Sequence, residues 1–256
     1  MTDSSSPAAS TRIAPPPPAK PRGLRIDAVD LARTIAILAM VVFHFTFDLA
    51  AFGHIAPETP YSGFWPYFAR MIAASFLVLA GLSLWLAHGQ GIRWRGFWKR
   101  WWVLVLAALV ITIATYFGMP DQYIRWGILH MIAAGSLIGL AFLRLPLIVV
   151  VLAALACFAA PHLFASQAFA SPWLIWLGLA PSVPLMMDYE PLLPWLSPVL
   201  AGIALGRIGG HFGLWQFLWG WRLPAWITWP GRYSLWIYLA HQPVLFGLLI
   251  LYARFG

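Results

Sequence analysis

The sequence is poor in charge. Only 9% of its 256 residues are Asp, Glu, Lys or Arg, against about 25% in soluble domains. Acidic groups are scarcest, with 8 carboxylates facing 16 Lys and Arg for a formal net charge of +8. A single cysteine, Cys157, lies in an apolar run, which excludes an intramolecular disulfide. No internal repeat is visible at a fixed period, which argues against an inverted-repeat transporter. The positive balance does not point to nucleic acid, because the cations sit in short loops between apolar stretches and form no aromatic-interleaved basic face.

Hydrophobic length is abundant. The chain is 61% hydrophobic with a mean hydropathy of +0.78, a composition that belongs in a bilayer. Residues 1–24 are set apart by SSSPAAS and APPPPAKPR, a Pro/Ser-rich composition expected to form a disordered cytoplasmic tail. Residues 25–256 read as one membrane domain, an all-α polytopic helical bundle. Seven spans are expected at about 31–51, 65–87, 99–118, 125–143, 146–164, 191–208 and 233–253, each near the length that crosses a ~30 Å core. The Trp-rich WLIWLGL around 173–179 reads as an interfacial or re-entrant piece. With the N-terminus inside and the C-terminus outside, Arg70, Arg125 and Arg254 alone of the 16 Lys and Arg fall on the outer side, a strong positive-inside bias. Trp65, Trp94, Trp98, Trp126, Trp173 and Trp229 mark span ends, as an interfacial belt does. The small-residue runs AGIALG and AAGSLIG suit close helix contacts within the chain or between copies, so an oligomer is compatible with them.

Ionisable groups inside such spans are costly and are functional-site candidates. RTIAILAMVVFHFTFD holds Arg33, His44 and Asp48. Eleven residues make three turns plus about 20°, so Arg33 and His44 share one helix face about 16 Å apart. Asp48 follows His44 at the i,i+4 spacing that lets side chains meet. Helical rise brings His130 of the fourth span and His241 of the seventh to a similar layer, and Pro243 loosens the backbone beside His241. This pattern suits acyl transfer. A neutral His44 takes the proton of an attacking hydroxyl or amine, and Asp48 orients the ring. His130, His241, Asp188, His54 and Arg125 are candidates for contacting the acceptor. Arg33 with Arg93, Arg95, Lys99 and Arg100 of GIRWRGFWKRWW offers cations to a phosphate-bearing donor. No metal is expected. Each residue also has a plainer role: Arg33 as a snorkelling anchor, His130 and His241 as interhelical hydrogen-bonders, Asp188 as a helix cap, His54 as a solvated loop residue.

RIDAVDLARTIAILAMVVFHFTFDLAAFGHI resembles the opening of the heparan-α-glucosaminide N-acetyltransferase catalytic-domain family. IRWGILHMIAAGSLIG, MMDYEPLLPWLSPVLAGIALGR and GRYSLWIYLAHQPVL resemble later blocks of its bacterial members. The likeness covers roughly residues 24–250. The Arg33-to-His44 arrangement is also similar to the signature of the wider transmembrane acyltransferase superfamily. The resemblance implies an acetyl-CoA or other acyl-CoA donor, a sugar or glycan-type acceptor at the outer face, and a bacterial inner-membrane location. The superfamily's paired arginines with two residues between them have no literal match here, and the expected spans are fewer than in many relatives. Two other classes are compatible with the residues: a proton-coupled transporter with a His/Asp relay, and a non-catalytic membrane partner.

Overall fold

The computed structural model describes residues 25–255; the expected 1–24 tail lies outside them. The described residues form nine α-helices: α1 (Asp27–Ala51), α2 (Trp65–His88), α3 (Trp94–Gly118), α4 (Ile128–Phe142), α5 (Leu147–Phe164), α6 (Leu192–His211), α7 (Leu214–Trp219), α8 (Ala225–Arg232) and α9 (Ser234–Phe255). Six of them, α1, α2, α3, α5, α6 and α9, are long and apolar enough to cross a membrane. The chain is a polytopic helical membrane protein. Helix is the only regular structure that a chain can carry through hydrocarbon without a closed barrel, because it pairs its own backbone groups.

The expected fourth span is the one that differs. Its helix starts at Ile128 and has 15 residues, about 22 Å of rise and short of a full ~30 Å crossing. The residues before it are used otherwise. Met187 N–H donates to the Gln122 carbonyl at 3.0 Å and Glu190 N–H to the Trp126 carbonyl at 3.2 Å, so residues 122–126 run alongside 187–190. The expected interfacial piece near 173–179 is a short 3-10 turn, Ile175–Leu177, anchored by the Tyr189 hydroxyl on the Ile175 carbonyl at 2.6 Å. Gly178 ends this turn at φ +84, where a Cβ would meet the Leu193 carbonyl oxygen at 1.8 Å. Glycine is required there on both counts.

The centre of the bundle is the crossing of α2 and α6. A Cβ on Gly81 would lie 1.9 Å from the Val199 carbonyl oxygen, and one on Gly202 would lie 2.1 Å from that of Val78. Each backbone therefore occupies the space a side chain would need on the other helix, the close approach that small residues permit. Leu77, Met131, Val199, Leu200 and Ile203 fill the surrounding core. Large apolar side chains on α3, α5 and α9, such as Leu106, Leu152 and Leu248, are exposed and suited to lipid. Helix α8 is clamped to the start of α1. A Cβ on Gly231 would meet the Asp30 carbonyl oxygen at 1.9 Å, and Gly231 N–H donates to Thr34 Oγ1 at 2.9 Å.

Candidate active site

Helix α1 opens with two buried carboxylates that hold a fan of arginines. Asp30, 1% exposed, accepts from Arg25 Nε at 2.5 Å and from an Arg33 guanidinium nitrogen at 2.7 Å. Arg232, at the end of α8, places its Nε 3.5 Å from the same carboxylate and donates to Asp27 at 3.2 Å. Asp27 also accepts Leu223 N–H at 3.1 Å. Three cations converge because a buried carboxylate is stable only when paired and hydrogen-bonded. The sequence reading passed over Asp27 and Asp30, although Asp30 stands three residues before Arg33 on one helix face. Arg33 spends its other terminal nitrogen on Ser83 Oγ at 2.5 Å.

These arginines border a cavity of about 1520 Å³, whose walls include Arg25, Arg33, Arg93, Arg100 and Arg232. Among the described residues Asp30 is the one carboxylate on that wall, so its interior favours anions. Trp85, Trp215, Trp219 and Trp236 add aromatic faces, and Leu129 and Tyr238 are also in its walls. Of the basic loop's candidates, Arg93 and Arg100 line the cavity, whereas Arg95 and Lys99 lie outside its lining on the exposed surface.

Outside the cavity lining, α1 and α9 bring two histidines together. The His44 and His241 rings meet edge to face with centroids 4.7 Å apart at 62°. Tyr238, which borders the cavity, lies one turn before His241 with ring centroids 5.7 Å apart. His44 itself is outside the cavity lining. His241 Nδ1 is 2.6 Å from the Tyr238 carbonyl oxygen. Asp48, fully buried, accepts the Gln242 side-chain amide at 2.6 Å through Oδ1, while Oδ2 has no partner. The carboxylate expected to orient His44 is thus held by the neighbour of His241. Gln242 went unnoticed in the sequence because an amide beside a proline looks like a helix-breaking context.

His130 lies in the first turn of α4 and is held by its own partners. Gly127 N–H donates to its Nδ1 at 3.2 Å, which puts the ring proton on Nε2, 3.3 Å from Thr112 Oγ1. The ring stacks on Trp126 at 5.6 Å; Nδ1 caps the start of α4 and Nε2 ties it to α3. Asp188 works beside it, accepting Ile128 N–H at 2.8 Å. Burial pushes the Asp188 carboxyl up from the ordinary range. Glu190 is raised further, by burial first and then by the Asp188 charge, against the lowering effect of Arg70. Arg125 stacks over Tyr123 at 4.7 Å. His54 is exposed against Tyr252, 5.7 Å between ring centroids, away from the histidine pair.

The family model described as "Heparan-alpha-glucosaminide N-acetyltransferase, catalytic" matches residues 25–243. The chain belongs to that family. The match begins at Arg25 of the arginine fan and runs through both histidines to the residue after Gln242, so it covers the cavity and the pair beyond it. Membership of the heparan-α-glucosaminide N-acetyltransferase catalytic family points to a transmembrane acetyltransferase-like function. Neither the curated proteins nor the solved structures contain a match to this chain.

Proposed function

We propose that this protein moves an acetyl or other acyl group from acyl-CoA to a sugar or glycan-type acceptor across a bacterial inner membrane, with His44 as general base. The observation that carries the reading is continuity. Tyr238 lines the arginine-bordered cavity, Tyr238 neighbours His241, and His241 neighbours His44. A donor rich in phosphate is attracted by the Arg25, Arg93 and Arg100 end, and indole faces suit its flat base. Its extended arm then directs the thioester toward the histidines. The acceptor enters from the opposite end, past Trp126 and Asp188. In this orientation the N-terminus and the cavity are cytoplasmic, as the distribution of Lys and Arg expects.

His44 takes the proton from the acceptor hydroxyl or amine as it attacks the thioester carbonyl. Burial among α1 and α9 keeps competing water from the thioester. Purified protein in liposomes, given labelled acetyl-CoA and a panel of amino sugars and sugar alcohols, tests this reading. Label is expected on one acceptor class, with acceptor supplied on the face opposite the donor. Label retained on the thioester with every acceptor would count against it.

A further inference from the structure

We propose that His241 is the proton-relay partner of His44, a reading that rests on the acyl-transfer function proposed above. The assignment follows from which nitrogens are occupied. A carbonyl oxygen carries no proton, so the 2.6 Å contact with the Tyr238 carbonyl requires the proton on Nδ1 of His241. Nε2 therefore presents a lone pair. That atom is buried and has no hydrogen-bond partner among the described residues. Leaving a buried acceptor empty costs free energy unless the site uses it. The neighbouring ring is His44, with centroids 4.7 Å apart; no hydrogen bond joins the two rings in this arrangement, so the proton passes on a small rotation of the His44 ring.

Two further buried atoms nearby lack a partner among the described residues, Asp48 Oδ2 and Gln242 Oε1. Asp48 on α1 is engaged by Gln242 through Oδ1, and Asp188 of the 187–190 segment accepts Ile128 N–H. A neutral imidazole pinned through Nδ1–H to a backbone carbonyl is held in the tautomer that accepts at Nε2. His241 thus occupies, relative to His44, the orienting place that the sequence reading gave to Asp48.

The chemistry balances within the pair. The acceptor's oxygen or nitrogen forms a bond to the thioester carbon, and the carbon–sulfur bond breaks with its electrons leaving on the thiolate. The acceptor proton passes to one nitrogen of His44, and the opposite N–H of His44 shares its proton with His241 Nε2. Return of that proton through His44 to the departing thiolate yields the free thiol and restores both neutral rings. His241 acts through His44 and is a positioning residue.

The test uses full-length protein in liposomes with labelled acetyl-CoA and the acceptor that the wild type uses. His241→Ala is expected to lower kcat by about 100-fold or more, with donor KM within about twofold. Added imidazole is expected to restore the rate of His241→Ala in a saturable manner, with a dependence on the basicity of substituted imidazoles. His241→Asn keeps an amide that can donate to the Tyr238 carbonyl but has no basic nitrogen. It is expected to retain thermal stability, remain as slow as His241→Ala, and keep an acidic limb of the kcat–pH profile that is displaced from the wild type's, since His44 still titrates. A kcat within threefold of wild type in either variant overturns the relay, as does wild-type rate and pH dependence restored by Asn alone. Wild-type protein that transfers no label to any acceptor overturns the acyl-transfer reading as well, so the two failures are distinguishable.

Discussion

The side-chain amide of Gln242 donates to the Asp48 carboxylate across 2.6 Å, tying α9 to α1 one turn beyond the His44–His241 contact. Two adjacent residues of α9 therefore meet two residues of α1 that are four apart. The result is a pair of polar rungs in otherwise apolar surroundings. Gln242→Leu removes the sole hydrogen-bond partner, among the described residues, of a fully buried carboxylate. It is expected to destabilise the protein by about 2 kcal/mol, read as a lower unfolding midpoint in detergent. Asp48→Asn in the Gln242→Leu background is expected to recover part of that loss, since a neutral amide costs less to bury unpaired.

Asp30 sets the direction of three arginines. Asp30→Ala leaves Arg33 without its carboxylate inside the protein, while Arg25 and Arg232 still reach solvent, with side chains 53% and 32% exposed. The expected loss is about 1–3 kcal/mol, below the value for a wholly buried pair because of that solvent access. Asp30→Asn is expected to raise donor KM about tenfold with kcat within twofold. Initial rates over a range of acetyl-CoA concentrations check it. A fall in kcat at constant KM would show that the fan does not serve the donor.

How far these features could be read beforehand differs by residue. The helix positions were legible because hydropathy over about 20 residues is a direct image of bilayer thickness. Helical rise gave His44 and His241 a similar expected depth, but depth says nothing of which helices are neighbours, so their contact is read from the structure alone. The partner of Asp48 was not legible either. The i,i+4 rule names His44 as a neighbour, but a buried carboxylate turns to whichever donor a neighbouring helix offers, here Gln242. Asp30 was hidden for a similar reason. An acid in a helix's first turn satisfies the helix dipole on its own, and the arginine of α8 that completes the fan lies about 200 residues away in sequence, as Arg232 to Asp30. The capping role of His130 was not legible, because hydropathy gives a span and not the late start of α4 on a cap built from His130 and Asp188.

The α2–α6 crossing predicts a severe packing defect. Gly202→Val directs a side chain at the Val78 carbonyl oxygen, 2.1 Å from the new Cβ. Backbone cannot yield as a side-chain tip does, so the loss is expected to reach about 3 kcal/mol or more. Failure to purify as a monodisperse species, against a normal Gly96→Ala control with open space at its Cβ, checks it.

The Asp188–Glu190 segment predicts a pH dependence of stability. Burial, with the charge of Asp188, raises the folded-state pKa of Glu190, and Arg70 opposes this only partly. The folded protein then binds more protons than the unfolded chain above the ordinary carboxylate range of about 4–4.5. Stability is fully present below that range and declines as pH rises toward the raised folded-state value. Unfolding midpoints measured from pH 5 to 9 are expected to fall in the wild type. Glu190→Gln, which is neutral throughout, is expected to show a flatter curve.

The central claim is that His44 receives the acceptor's proton. Single-turnover transfer from labelled acetyl-CoA in liposomes, comparing wild type with His44→Asn after donor binding has been matched, tests it most directly. Loss of about 100-fold or more in the transfer step, with donor still bound, is the predicted result. Transfer by His44→Asn at the wild-type rate would contradict it.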